Sequence, residues 1–218
     1  MENLNFDIYI CFAIPLLLAV FVLAKRPRTC FIFILLGLSV CVYCGEVNRF
    51  LQNALALGDG TYSVAIAPLN EEICKCVPLL IYFFLAKPDK PKLMEASLLL
   101  GIGFATQENA YVLASFSANS SVFLSTVRAL GAGTMHIVAL TLAAHVLSLT
   151  RNKKRTAVLA LLAVLLAVVY HAVFNYIEIS NFSFIGYFLP LFTFVPMMIY
   201  LKKMQPKDKD PEKKEDPQ

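Results

Sequence analysis

Three charged side chains stand within one helical turn of a stretch that is otherwise apolar. The stretch reads APLNEEICKCVPLLIYFFL, residues 67–85, and its charged residues are Glu71, Glu72 and Lys75. On a helix Lys75 lies four residues from one glutamate and three from the other, so it can neutralise part of the charge of both. A buried carboxylate beside a second carboxylate can serve as a general base or acid. The stretch therefore predicts acid–base chemistry inside an apolar environment.

Other apolar segments contain the partners that such chemistry needs. These are Glu108 in one segment, Arg128 and His136 in the next, and His171 with Asn175 in a third. The last two are four residues apart and share a helical face, and both can donate hydrogen bonds to a tetrahedral oxyanion. Carboxylates and imidazoles gathered in a low-dielectric site suit the activation of water. No HExxH motif occurs, and no Ser-His-Asp or Cys-His pattern falls at the same depth, so hydrolysis without a covalent nucleophile is favoured.

The composition places these residues in a membrane protein. The chain has 218 residues and is 58% hydrophobic, against about 45–50% for a soluble domain. Seven apolar segments approach the length of about 20 residues that a spanning helix needs. They cover residues 8–24, 30–56, 62–86, 93–115, 122–149, 156–179 and 183–202. The expected fold is an all-α, polytopic membrane protein with about seven transmembrane helices.

The basic residues predict the orientation of these helices. Lysines and arginines concentrate in alternate connections and after the last span, whereas the connections 58–61, 116–121 and 180–182 contain none. By the positive-inside rule the N-terminus is outside and the C-terminus is cytoplasmic. The first span is expected to be a retained anchor, since the basic cluster follows it. Residues 1–203 form the predicted transmembrane domain, and 204–218 a charged tail expected to be disordered.

With this topology the ionisable residues fall in one layer. At about 1.5 Å per residue, Glu71, Glu108, His136 and His171 lie about 12–20 Å below the outer surface. Unrelated charges would scatter in depth, so we expect one site in the outer half of the membrane. His145 lies about 13 Å deeper than His136 and half a turn away, which indicates a structural role.

Other features of the spans favour structural roles. Glu46 with Arg49, and Glu178, are expected to form interfacial pairs or caps, although the polar face of 45–57 could gate the approach to the site. The glycines of GIG, 101–103, and GAG, 131–133, suit close helix packing. Pro68 and Pro78 bracket the glutamate pair and are expected to loosen the helix there. The six cysteines lie in or beside apolar segments and are expected to be packing residues.

Four short motifs carry a resemblance to a known family. EEICK (71–75), GFATQENAY (103–111), the Arg128 and His136 pair, and HAVFN (171–175) resemble, in order and spacing, the motifs of the PrsW family of intramembrane proteases. That family belongs to the superfamily of CAAX-processing and bacteriocin-processing proteases. The resemblance covers residues 62–180 and implies cleavage of a single-pass membrane protein, such as an anti-sigma factor, near the extracytoplasmic face. It also implies that Glu71, Glu72 and His171 are essential.

The expected site combines the motif residues with their neighbours. It comprises Glu71, Glu72, Lys75, Glu108, Asn109, Arg128, His136, His171 and Asn175. Either glutamate of the pair activates water, alone or with a metal. If the enzyme is metal-dependent, the expected ligands of a zinc ion are Glu72, Glu108, His136 and His171, since carboxylate and imidazole are both zinc ligands.

Two other classes of function use the same residues. A transporter or proton channel would place intramembrane charges along its path. A non-catalytic membrane scaffold would use them as paired structural groups. The expected partners are a single-pass protein substrate and membrane lipid, without nucleic acid, in the cell membrane of a bacterium or archaeon.

Overall fold

Long helices make up the part of the chain that the structure describes. The computed structural model describes residues 27–116, 121–149 and 153–204. The long helices are α1, Pro27–Leu55; α2, Ala67–Ala86; α3, Lys90–Phe116; α4, Val122–Leu147; α5, Lys153–Glu178; and α6, Leu189–Met204. Short helical turns cover Asp59–Thr61 and Ser183–Gly186, and Tyr62–Ile66 is π-helical. No strand occurs within the described ranges, which confirms the all-α prediction.

The helices follow the predicted segments. Each predicted segment from 30–56 onwards corresponds to helix, whereas the first segment, 8–24, and nearly all of the 204–218 tail lie outside the described residues. Among the residues that the structure describes, four helical segments are long and apolar enough to cross a membrane: Thr29–Leu55, Ser125–Leu147, Arg155–Glu178 and Ser183–Met204. Helices α2 and α3, which carry the predicted glutamates, are not among them. The count of seven spans and the orientation stay predictions.

Helix α4 lies at the centre of the bundle. It packs against α3, α5 and α6 and also touches α2. Within its most apolar stretch 78% of the residues are buried, compared with 28%, 22% and 17% in the other three candidate spans. Ala139, Ala143 and Ala144 on this helix are completely buried. Small side chains therefore let the surrounding helices approach the helix that carries His136.

Glycines set two of the closest helix approaches. A Cβ at Gly103 of α3 would lie 2.1 Å from the Ile34 carbonyl oxygen of α1, and a Cβ at Gly37 would lie 2.2 Å from the Leu100 carbonyl oxygen. On the other side of α3, a Cβ at Gly101 would lie 2.9 Å from the Ile137 Cα of α4. These contacts confirm the predicted packing role of the GIG motif. They press the helix that carries Glu108 against both α1 and α4.

The backbone departs from α-helical geometry just before the glutamate pair. In the π-helical stretch the Ala67 N–H donates to the Tyr62 carbonyl. The next carbonyl in that register, Ser63, has no donor along the helix because Pro68 lacks an N–H. Asn175 supplies one instead, since its Nδ2 donates to the Ser63 oxygen at 2.8 Å. The loosening expected near Pro68 is therefore present, whereas Pro78 lies inside an uninterrupted α2.

Candidate active site

Glu72 and Lys75 form a completely buried ion pair. Both side chains have zero exposure, and the Lys75 Nζ lies 2.5 Å from the Glu72 Oε1. The same Nζ lies 4.3 Å from the centre of the Phe104 ring, which gives the cation a second favourable contact. A buried charge requires such pairing, because an isolated one is strongly disfavoured in an apolar medium. The positive charge of Lys75 therefore neutralises the negative charge of Glu72 directly.

Glu71, one residue earlier, has different partners. Its Oε1 accepts a hydrogen bond from Asn48 Nδ2 of α1 at 3.0 Å. The structure places no Lys75 contact on Glu71, so the prediction that Lys75 lies against both carboxylates holds for Glu72 only. The Glu71 Oε2 is buried without a hydrogen-bond partner in the described part of the chain. Glu71 therefore keeps one free oxygen inside the bundle.

His171 of α5 lies between the two carboxylates. Its Nδ1 is 2.8 Å from the Glu72 Oε1, and its Nε2 is 4.0 Å from the Glu71 Oε2. A carboxylate only accepts hydrogen bonds, so the Nδ1 carries the proton and donates to Glu72. In the neutral form of the ring, the Nε2 would present its lone pair towards Glu71. Glu72 thus orients His171, as carboxylates orient histidines in metal and acid–base sites.

His136 of α4 joins the site from the opposite side. Its Nδ1 lies 2.9 Å from the Lys75 Nζ, and its Nε2 contacts the Glu108 Oε2. An ammonium group has no lone pair, so Lys75 donates to the Nδ1 and the Nε2–H points to Glu108. The His136 and His171 rings meet edge to face with their centres 5.0 Å apart. The layer predicted from helix rise therefore corresponds to real contacts among four helices.

Arg128 closes one side of the site. Its NH2 lies 3.6 Å from the Glu108 Oε1, and its NH1 lies 2.7 Å from the Glu178 Oε1. The Tyr187 hydroxyl also donates to this Glu178 oxygen, at 2.8 Å. Glu178, expected as an interfacial pair or cap, is paired with Arg128 and so becomes part of the wall around Glu108. The prediction that Arg128 and His136 face one site is confirmed by their common partner.

The two predicted asparagines differ. The amide of Asn109 is 1% exposed, and neither its Nδ2 nor its Oδ1 has a hydrogen-bond partner in the described residues. The Nδ2 of Asn175 instead donates one of its two hydrogens to the Ser63 carbonyl, at 2.8 Å. Asn175 therefore serves the backbone beside the site, and Asn109 is the amide free to bind a reacting group.

The donor set suits a divalent metal. Ligand atoms of Glu71, His136 and His171 all lie within 4.8 Å of one another. Two imidazoles with one carboxylate form the ligand set of many catalytic zinc sites. The free Glu71 Oε2 is the kind of buried, unpartnered atom that a cation would satisfy. This group differs from the predicted ligand set, because Glu71 stands in place of Glu72 and Glu108. His136 would join it only by releasing the contact that one of its nitrogens makes with Lys75 or Glu108.

Two further observations delimit the site. His145 packs edge to face on Tyr200, with ring centres 5.5 Å apart, in agreement with its predicted structural role. The exposed Glu46 pairs with Arg49 at 3.2 Å, as expected for an interfacial pair.

Sequence reasoning missed Asn48, Tyr62 and Asn70, which form a hydrogen-bonded group beside Glu71. A neutral polar side chain costs less to bury in a membrane than a charged one does. A search for intramembrane charges therefore does not find these three residues.

The comparisons with known proteins identify a family. The family model described as PrsW family intramembrane metalloprotease matches residues 25–201. Neither the curated proteins nor the solved structures gave a match to the chain. The family model spans the site and most of the chain, so the chain belongs to the PrsW family of intramembrane metalloproteases, and the predicted family is confirmed.

Proposed function

Starting from this family membership, we propose that the protein is an endopeptidase that cleaves a single-pass membrane protein near the extracytoplasmic face of the cell membrane. The reacting centre lies between the Glu71 Oε2 and the His171 Nε2. The observation that carries the proposal is this 4.0 Å gap, which joins a buried, unpartnered carboxylate oxygen to an imidazole lone pair. A water molecule within hydrogen-bond distance of both atoms fits such a separation.

Glu71 is the group that moves the proton. In the proposed reaction the water oxygen attacks the scissile carbonyl carbon while its proton passes to the Glu71 Oε2. The tetrahedral intermediate then collapses, the C–N bond breaks, and Glu71 returns the proton to the departing amine. Glu72 holds the proton on the His171 Nδ1, so the Nε2 keeps its lone pair towards the water. Lys75 keeps Glu72 compensated throughout.

The developing oxyanion needs donors, and the amide of Asn109, next to Glu108 in the chain, is a candidate because it is buried and has no partner in the described residues. Its buried Nδ2 is free of hydrogen bonds within the described chain. A preorganised donor of this kind is worth more in a site without water than it is in bulk solvent. The sequence-based hypothesis gives that role to His171 and Asn175; we prefer Asn109 because one hydrogen of the Asn175 Nδ2 is already bound to a backbone carbonyl.

The charge of the site favours a divalent cation. With neutral histidines, the four carboxylates outnumber the two cations and leave two negative charges; the groups counted are Glu71, Glu72, Glu108, Glu178, Lys75 and Arg128. A divalent ion would balance that excess. Glu71, His136 and His171 would hold it in place of the water described above, with Glu71 then a ligand and not the base. When bound, the ion would supply Lewis-acid polarisation of the carbonyl or of a water molecule.

The substrate is proposed from the physics of membrane helices. A regular helix in lipid has its backbone hydrogen bonds satisfied and shields its carbonyls from attack. The cleaved bond is therefore expected in an unwound or juxtamembrane stretch, as in an anti-sigma factor released by proteolysis. A bacterial or archaeal cell membrane is the proposed location.

A panel experiment tests the function. The purified protein in detergent is incubated with tagged single-pass membrane proteins from the same genome, and new fragments are identified by mass spectrometry. Wild type is expected to cleave at least one of them, and His171→Ala to cleave none. His145→Ala is the matched control, because it removes the same side chain from a position against Tyr200, and it should cleave as wild type does.

Two results would overturn the proposal. One is the absence of any fragment that depends on His171. The other is ion or proton flux in liposomes that requires Glu71 while no panel member is cut, which would favour the transporter class.

A further inference from the structure

We propose that Asn48 is a positioning residue, which holds one oxygen of Glu71 so that the other faces the reacting centre. The inference rests on the proposed function of Glu71 and adds to it a residue outside the four sequence motifs. The contact that carries it is the hydrogen bond from Asn48 Nδ2 of α1 to the Glu71 Oε1 at 3.0 Å. The opposite oxygen, Oε2, is the one that remains free.

The surroundings of Asn48 fix which end of its amide meets Glu71. Its Oδ1 accepts a hydrogen bond from Asn70 Nδ2 at 2.9 Å and another from the Tyr62 hydroxyl at 3.0 Å. Rotating the amide by half a turn would put an NH₂ group against the Asn70 NH₂ group. It would also put a carbonyl oxygen against the Glu71 carboxylate. The Asn70 donor on one side and the Glu71 acceptor on the other therefore select a single orientation, which the Tyr62 hydroxyl also allows.

The group is tied to the backbone as well. The Tyr62 hydroxyl lies 2.8 Å from the Asn48 carbonyl oxygen, and Asn70 Nδ2 lies 3.4 Å from the Cys44 carbonyl oxygen. Tyr62 itself is buried at the start of the π-helical stretch. Asn48 therefore acts as a link between α1 and the segment that leads into α2. Asn48 is therefore held in place by contacts other than its hydrogen bond to Glu71.

Loss of this donor should affect the chemical step more than substrate binding. Without it, the Glu71 carboxylate is free to rotate, and its Oε2 no longer stays opposite the His171 Nε2. Partners that orient a reacting group typically contribute about 10–100-fold in activity. We expect kcat to fall in that range while KM stays close to the wild-type value.

The test uses two substitutions that probe the same hydrogen bond. Asn48→Asp keeps the shape and the Oδ1 acceptor but replaces the donor with a second carboxylate oxygen facing Glu71. The double variant Asn48→Asp with Glu71→Gln rebuilds the hydrogen bond with the donor on the other residue. The thermal midpoint of each purified protein and the kcat and KM for the panel substrate are measured. Asn53→Ala, an exposed residue of the same helix, is the control.

The expected pattern separates positioning from simple packing. Asn48→Asp should lower kcat about 100-fold with little change in KM. It should also lower the thermal midpoint, which the double variant should recover without recovering activity. Tyr62→Phe removes the hydroxyl that contacts both oxygens of Asn48 and should lower kcat by a smaller factor while the protein stays folded. Asn53→Ala should match wild type in every measurement.

The outcomes distinguish this inference from the proposed function. If Glu71→Gln abolishes cleavage but Asn48→Asp and Tyr62→Phe keep wild-type kcat, the role of Asn48 is wrong and that of Glu71 stands. If Glu71→Gln itself cleaves normally, the proposed function fails. The thermal midpoints test the hydrogen bond between residues 48 and 71 even without a substrate. If the shifts of the two single variants simply add in the double variant, the two residues are not directly bonded.

Discussion

Glu71 and Glu72 are adjacent in the chain but point about 100° apart around α2, and the structure gives them opposite surroundings. Glu72 has no exposure, a lysine at 2.5 Å and a histidine at 2.8 Å on the same oxygen. Glu71 is held by a neutral amide on one oxygen. The second oxygen of each carboxylate lacks a hydrogen-bond partner in the described chain, but the Glu71 oxygen is the one 4.0 Å from the His171 Nε2. In the proposed mechanism Glu72, whose charge Lys75 neutralises, orients His171. Glu71, which has no lysine partner among the described residues, reacts with water.

The largest expected effect on stability comes from Glu72. Glu72→Gln leaves Lys75 unpaired in the core, and breaking a buried pair in this way costs about 3–5 kcal/mol. The thermal midpoint should fall by about 10 °C and cleavage should be lost with it. Glu71→Gln, which leaves the ion pair intact, should unfold close to the wild-type temperature. Equal thermal midpoints for Glu72→Gln and Glu71→Gln would contradict the claim that only Glu72 forms a stabilising ion pair.

A repaired variant sharpens this result. Replacing both members of the pair, Glu72→Leu with Lys75→Met, removes the unpaired charge and should recover most of the stability. It should not recover cleavage, because His171 would lose the carboxylate that holds its Nδ1 proton. Recovery of both properties would show that the pair only packs the core.

Metal binding is the next largest effect. Zinc at about 100 times its dissociation constant should stabilise the folded protein by about 2.7 kcal/mol, and a chelator should reverse the shift. Thermal unfolding with and without zinc measures it. His136→Ala and Glu71→Gln should lose the shift, whereas His145→Ala should keep it. A full shift in Glu71→Gln would remove that residue from the ligand set.

A smaller effect is expected at the backbone beside the pair. Asn175→Ala leaves the Ser63 carbonyl without its side-chain donor and should cost about 1 kcal/mol. The expected fall in the thermal midpoint is about 3 °C, with cleavage reduced less than in Glu72→Gln. If Asn175→Ala abolishes kcat at an unchanged midpoint, the amide binds the oxyanion after all.

The smallest effect is expected at the surface pair of α1. Glu46 and Arg49 are both more than half exposed, and such pairs contribute about 0–1 kcal/mol. Glu46→Gln should therefore leave both thermal midpoint and cleavage at wild-type values, which makes it the surface control for both site glutamates. A loss of cleavage there would instead support a gating role for the polar face of 45–57.

The sequence predicted the parts of the site that follow from charge and helical period. Charges are costly in an apolar segment, so Glu71, Glu108 and Lys75 stand out in the sequence. A regular rise per residue places Glu71 and Glu108 in one layer with His136 and His171. The rotation of each side chain and the choice between neighbouring partners depend on tertiary contacts. For that reason the sequence could not predict that Glu71 and Glu72 have different partners. It also could not predict the contact of Asn175 with Ser63 or the hydrogen bonds around Asn48.

The most direct test of the reacting centre is single-turnover cleavage of the panel substrate by Glu71→Gln, with Glu46→Gln measured beside it at the same concentration of folded protein. General-base catalysis contributes about 10²–10⁴-fold, so the Glu71→Gln rate should fall at least that far while Glu46→Gln cleaves as wild type does. A wild-type rate in Glu71→Gln would contradict the account.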